Sequence, residues 1–475
     1  MHRRRANYGS FQSMWSKTAP PRAANSEATT YELVRRRIAR LLDPKTRRAT
    51  IPGLAVVLIF LGVALPGLFR NAMFTEKYDE VKYHLPAIKH FAAELPHLDL
   101  SNYSSATTPL YHILFGLLLR IGCGLTTLHL VNFAISIATV LIVMRYLLRS
   151  SSDSQAHCLA YGATLLFATS MYVVGPSIRL TTDNLALGCV VGVLYLLDRV
   201  ETESGRNFAI AVILSVVAVL TRQLCLWLVP LLGAYALTNT AWDMRRRTIA
   251  TVAALIPLIS VIPLFLLWHG FTNSHFAYKH QLHDSIVNGK ALVLAVCILG
   301  AFAMVFAPAM VRVLWPDPRG RILLLATFAL AAAVLPMLDA RAGSYQVPME
   351  GGWLRAMAEH SPVVFHIWSL FWILFPIGCV VIAAMSYRAV TTGREIWMVL
   401  GLGLWLLLNI MQTRAMAKYY EPFGIVVVGR FAVMARSGIW NNVPVWMLTA
   451  VFVLVDIFRF WFGAPWASPG FPSHL

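Results

Sequence analysis

A chain of 475 residues that is 58% hydrophobic and only 13% charged, with a mean hydropathy of +0.63, is excluded from the ordinary soluble enzymes. Forty Lys and Arg against 22 Asp and Glu leave a net charge of +18. In a membrane chain such an excess records topology, so no nucleic-acid partner is expected. Six cysteines (Cys123, Cys158, Cys189, Cys225, Cys297 and Cys379) fall mostly inside apolar runs with no C-x-x-C and no paired spacing. That pattern argues against a zinc site or a disulfide framework and for free apolar thiols.

Residues 1–50 carry Arg3-Arg4-Arg5, Arg35-Arg36-Arg37 and Arg47-Arg48 among Ala, Ser and Pro, too long and too polar a stretch for a cleaved signal peptide. They predict a basic, largely disordered cytoplasmic tail, with Tyr31–Leu42 lying on anionic lipid as an amphipathic helix. A bilayer core of ~30 Å takes ~20 mainly apolar residues per helix. Such runs fill residues 51–475: Ile51–Phe69, Thr127–Met144, Ala156–Val174, Asn184–Leu197, Phe208–Leu220, Leu224–Leu237, Ile249–Leu267, Ala291–Val311, Ile322–Leu338, Val363–Ala384, Ile396–Met411, Phe423–Met434 and Val443–Phe462. The expected fold class is an all-α polytopic membrane protein with about thirteen transmembrane helices.

With the tail placed inside by the positive-inside rule, later loops alternate, and Arg145/Arg149, Arg199/Arg206, Arg245-Arg246-Arg247, Arg312/Arg319/Arg321, Arg388/Arg394 and Arg436 all fall inside. The register holds only if the short run Leu110–Leu119 lies at the outer interface without crossing. Thirty-two Arg against eight Lys suggests a GC-rich genome and favours a bacterial inner membrane over the endoplasmic reticulum.

The outer segments are then residues 70–125, 175–183, 221–223, 268–290, 339–361 and 412–422. They hold Asp79, Glu80, His84, Asp183, Arg222, Arg341, Arg355, Arg414 and Lys418, and ionisable groups at the bilayer edge are functional candidates because desolvating them is costly. The first loop is the longest and opens Tyr78-Asp79-Glu80-Val81-Lys82-Tyr83-His84-Leu85-Pro86. A carboxylate held there can serve as a general base on a sugar hydroxyl or steer a divalent cation. No other cofactor is expected. The loop 268–290 contains His269, His275, His280, His283 and Asp284, but at no metal-ligand spacing. Trp353, Trp368, Trp397, Trp461 and Trp466 near helix ends read as belt anchors.

The pattern resembles the GT-C superfamily of polyprenyl-phosphate-sugar-dependent glycosyltransferases, and within it the dolichyl-phosphate-glucose-dependent α-1,2-glucosyltransferases of lipid-linked oligosaccharide assembly. The resemblance rests on Asp79-Glu80, Tyr83-His84-Leu85-Pro86, Thr107-Thr108-Pro109-Leu110-Tyr111, Arg222-Gln223 and the turn from Arg414 to Pro422. One extra residue separates Asp79-Glu80 from the aromatic-His pair, the Thr-Thr-Pro spacing is shortened, and Leu224-Cys225 stands where that family has Thr-Asn. The resemblance implies a GT-C-like fold with juxtamembrane helices in the first outer loop, a polyprenyl-phosphate-linked sugar donor, and a lipid-linked glycan or other glycan acceptor.

Such a transfer needs a carboxylate to take the acceptor proton and fixed cations to hold the departing phosphate. Asp79 is the expected base with Glu80 behind it, and one in-line displacement would invert the anomeric centre. Arg414, Lys418, Arg222 and Arg341 are the candidate phosphate ligands, and His84, Tyr83, Asp183, Gln223 and Tyr419 the candidate substrate contacts. A secondary transporter would show paired halves and broken helices at the midplane. No repeat links the halves of this chain, and its ionisable residues gather on one side. A lipid-linked-sugar polymerase or ligase shares the outer-face chemistry but concentrates it in one large late loop.

Overall fold

The computed structural model describes residues 44–69, 75–151, 153–198, 205–273, 288–307, 315, 317–338, 340–342, 352–393, 395–410, 415–435 and 442–461. The chain divides into two units, residues 1–52 and 53–475. Of the first, only the start of the helix Pro44–Phe69 is described, and the expected tail over 1–43 lies outside the described residues.

The second unit is almost wholly helical. Among the described residues six helices are long and apolar enough to cross a membrane: Ile51–Phe69, Leu125–Leu148, Met244–Trp268, Pro318–Leu338, Ser369–Thr392 and Asn442–Trp461. The bent pair Ser154–Ala168 and Met171–Ile178 makes a seventh. Five further predicted spans are shorter apolar helices: Asp183–Leu197, Gly205–Thr221, Gln223–Thr238, Gly289–Val305 and Ile396–Asn409. The last, Ala417–Met434, carries Lys418, Glu421 and Arg430 along 18 residues. All thirteen apolar runs thus yield helices, while six or seven meet the length and composition of a complete span. The chain is an all-α integral membrane protein.

Leu110–Arg120 is an 11-residue helix, about 16 Å long and too short to cross. It lies against Leu85–Glu94, where a side chain at Gly116 would press on the Ile88 carbonyl and Ala92. Ile88, Tyr111, Phe115, Leu128 and Leu180 close that contact as a small core.

Two predicted spans are revised. The run Ala156–Val174 is bent by 55° between its two helices. There the Ser170 hydroxyl caps the second helix by accepting from the Tyr172 backbone N–H at 3.2 Å. Asn132 anchors the far end of the second helix. Its side-chain amide is aimed at the carbonyls of Pro176, Ser177 and Arg179, at 2.8, 3.1 and 2.8 Å, and its oxygen accepts from Tyr111 at 3.0 Å. These buried carbonyls at the end of the second helix would otherwise lack donors. The run from Val363 begins as a small antiparallel hairpin, Val363–Val364 paired with Ile367–Trp368, and becomes helical only at Ser369. Its two turn residues, Phe365 and His366, have φ of 49° and 65°, the sign that a two-residue hairpin turn requires.

Helix packing is close where side chains are small. Gly300 and Gly378 face each other's helices so tightly that a methyl on either would overlap a backbone carbonyl, of Leu374 or Val296. At the opposite end of the bundle from the first outer loop, Arg430 is buried and donates to Asp198 Oδ2 at 2.5 Å and to the Tyr146 carbonyl, while Arg149 donates to the Asp198 carbonyl at 3.0 Å.

Candidate active site

The acidic motif sits on a helix with an irregular turn. Thr75–Asp79 is α-helical, Glu80–His84 is a π-helix, and Leu85–Glu94 resumes the α-helix. In a regular α-helix residues five apart are rotated by about 140°. The wider i→i+5 turn brings them back towards one face. Asp79 and His84, five residues apart across this turn, are thereby brought towards one face.

Asp79 Oδ2 accepts from Lys418 Nζ at 2.7 Å. Lys418 stands at the start of Ala417–Met434, 339 residues away in sequence. A cation at a helix N-terminus is opposed by the helix dipole, and Asp79 offsets that. A second ion pair, Arg222 with Asp183, lies beside it. Asp183 begins the helix Asp183–Leu197, and Arg222 follows the last residue of Gly205–Thr221. The Arg222 guanidinium lies 4.7 Å from the Tyr419 ring centre and Lys418 Nζ 5.5 Å from it, so the Tyr419 ring faces both cations.

Four of these residues line a cleft of about 620 Å³, counting its opening, and Lys418 holds Asp79 beside it. Asp183, Arg222, Lys418 and Tyr419 line it with Tyr172, Asn184 and Asn409, and its remaining walls are mainly apolar: Leu187, Val190, Leu224, Trp227, Trp405 and Phe423. The cleft thus combines two ion-paired cations with mainly apolar walls.

Glu80, only 4% exposed, points elsewhere. His129 Nε2 is 2.6 Å from its Oε1 and Arg179 Nε is 3.9 Å from Oε2, so it ties the first outer loop to two neighbouring segments. Gln223 braces the outer segments in the same way, donating to the carbonyls of Ala106 at 2.6 Å and Phe271 at 3.2 Å. Tyr83 is half-buried with its ring edge-on to Tyr78, 6.1 Å between centres. Arg341 is exposed beside the hairpin, where the Ala342 N–H donates to the His366 carbonyl at 2.8 Å, and it does not line the cleft. Arg414, His275, His280, His283 and Asp284 lie outside the described residues. Among the described residues no group of three or more His, Cys, Asp or Glu is arranged to hold a metal.

His84 is buried, and its Nδ1 is 2.8 Å from Nε2 of His112, with the rings stacked at 5.1 Å. Burial pushes the His84 pKa down to about 4, against an upward pull from Asp79 and Asp183. The unfolded chain therefore binds a proton here near pH 6.5 while the folded one does not. Stability from this site is complete above pH 6.5 and is lost progressively until about pH 4, a difference worth about 3 kcal/mol. The midpoint of thermal unfolding in detergent, followed from pH 7.5 to 4.5, should fall more steeply in the wild type than in His84→Gln. Equal slopes would show that His84 takes up its proton over the same pH range in the folded and the unfolded chain.

Several residues of the site carry no sequence motif. His112 and His129 are single histidines on apolar helices, and their only sequence-level signal is an ionisable group within a turn or so of a helix end. Glu421 is wholly buried and accepts from the Ser170 hydroxyl at 2.6 Å and from the Trp353 indole. Trp353, expected as a belt anchor, instead joins the segment 352–358 to the helix of Lys418.

No protein-family model matches the sequence, and no curated protein does. Two solved structures of ArnT from Cupriavidus metallidurans resemble the fold loosely. The one bound to undecaprenyl phosphate has a TM-score of 0.37 at 13% identity, covering 82% of this chain and 78% of that one. The apo structure has 0.35 at 14%, covering 80% and 78%.

Proposed function

We propose that this protein is a membrane glycosyltransferase of the GT-C type that moves a hexose from a polyprenyl-phosphate sugar to an acceptor hydroxyl on the periplasmic or luminal face. The observation that carries this reading is the cleft: two cations among its lining residues, a carboxylate paired with each, and otherwise mainly apolar walls. A polyprenyl phosphate has the matching distribution, a compact anion on a long hydrocarbon. Arg222 presents a guanidinium fork to phosphate oxygens, and Lys418 adds a point charge.

In the reaction Asp79 accepts the proton of the acceptor hydroxyl as its oxygen bonds to the anomeric carbon. The bond from that carbon to the phosphate oxygen breaks, and the polyprenyl phosphate leaves with the electron pair. The centre inverts, and Arg222 and Lys418 meet the charge that grows on the leaving group. Lys418 serves both ends, because it lines the cleft and bonds Asp79. A phosphate that draws Lys418 away leaves Asp79 a stronger base. Asp183 and Tyr419 stand where they contact donor or acceptor hydroxyls.

Titration with undecaprenyl phosphate tests the reading directly. The wild type should bind it, and Arg222→Leu and Lys418→Leu should each weaken binding roughly ten- to hundredfold, the worth of one charge-assisted contact. Equal binding by all three proteins would remove the cleft from the reaction.

A further inference from the structure

Behind Asp79 stands a buried chain of three side chains. His84 Nδ1 meets His112 Nε2 at 2.8 Å, and His112 Nδ1 meets the Tyr103 hydroxyl at 2.7 Å. Tyr103 and His112 are wholly buried, and the charges that act on His84 are those of Asp79, Asp183, Lys418 and Arg222. Resting on the glycosyltransferase reading, we propose that Tyr103 and His112 are positioning residues that lock His84 as a neutral donor, its Nε2–H directed to the phosphate gathered by Arg222 and Lys418.

The direction of the chain follows from its proton count. The Tyr103 hydroxyl has His112 Nδ1 in reach at 2.7 Å and the Thr108 carbonyl at 3.5 Å, while the Ser105 and Thr107 hydroxyls pair with each other at 3.2 Å. Its single proton goes to His112 Nδ1 at 2.7 Å, since the Thr108 carbonyl is 3.5 Å away. A neutral His112 whose Nδ1 accepts carries its proton on Nε2 and donates it to His84 Nδ1. A neutral His84 then carries its own proton on Nε2. Burial keeps both rings neutral near pH 7, lowering the pKa of His84 to about 4 and holding that of His112 well below its ordinary value.

The hydrogen bonds of His84 among the described residues are all at Nδ1, which leaves the Nε2–H to a bound acceptor. A carboxylate would serve, but the two nearby already hold Lys418 and Arg222. A phosphate between those cations offers three oxygens, and a neutral N–H can donate to it without adding a third positive charge beside them.

The test uses full-length protein in detergent and undecaprenyl phosphate as the probe, followed by quenching of tryptophan fluorescence. His84→Ala should weaken binding roughly tenfold or more. His84→Gln, which keeps an N–H near the Nε2 position, should stay within about threefold of the wild type. In protein labelled with nitrogen-15 at histidine, His84 should show the Nε2–H tautomer without any ligand, and Tyr103→Phe should mix the two tautomers and weaken binding. Inorganic phosphate competing only at far higher concentration marks a lipid headgroup as the ligand, and equal potency marks the free anion. A wild-type His84 protonated on Nδ1, or equal losses in His84→Ala and His84→Gln, would overturn the proposal. A wild type that does not bind undecaprenyl phosphate overturns the functional reading instead, while the tautomer spectrum still decides the chain.

Discussion

Asp79→Asn is expected to lower turnover by roughly two to four orders of magnitude, the usual contribution of a positioned general base. The amide has the shape of the carboxylate but cannot take the acceptor proton. It also leaves Lys418 without its 2.7 Å partner, so the freed ammonium should turn to the phosphate. Binding of undecaprenyl phosphate should therefore be kept or tightened while kcat collapses. That split separates a lost base from a lost fold, which would weaken both. The assay is transfer from polyprenyl-phosphate glucose, mannose, galactose or aminoarabinose by purified protein. Wild-type turnover in the variant would remove Asp79 from the chemistry. Glu80→Gln bears on the same question from the other side. Glu80 is engaged by His129 and Arg179, so its loss should loosen the first outer loop without abolishing the proton transfer itself.

Arg430→Leu should be strongly destabilising, by roughly 3 kcal/mol, because it removes the ion-pair partner of Asp198, a carboxylate that is only 11% exposed. Arg430 is 3% exposed, and its guanidinium joins Ala417–Met434 to the Asp198 carboxylate and to the Tyr146 carbonyl. The double variant Arg430→Leu with Asp198→Leu should recover much of the loss, since it removes the stranded charge. Thermal inactivation midpoints of the three proteins in one detergent measure this. An additive double variant would show that the pair contributes nothing as a pair.

The helices were legible because their signal is composition over a long window. Every apolar run is helical over most of its described length, since lipid offers the backbone no partner but itself. Interruptions were not legible. The 55° bend falls inside one apolar run, and the carbonyls of residues 176, 177 and 179 beyond it are met by Asn132 from another helix. The hairpin at residues 363–368 begins a run whose hydropathy is that of a helix. In the site, Asp79, Asp183, Arg222 and Lys418 could be chosen as ionisable residues near the ends of apolar runs. Their pairing could not, because the partners lie 339 and 39 residues apart.

The sequence by itself determined the membrane and the all-α class, and it supplied the ionisable residues from which a site could be proposed. Each of these follows from hydrophobicity or charge read along the chain. Only the tertiary structure decided which acid meets which base, that Glu80 and Gln223 brace the outer segments, that Arg341 stands outside the cleft, and that His84 is backed by His112 and Tyr103. Such pairings depend on distances of a few ångströms between helices far apart in sequence, and hydropathy fixes the presence of those helices but not their neighbours.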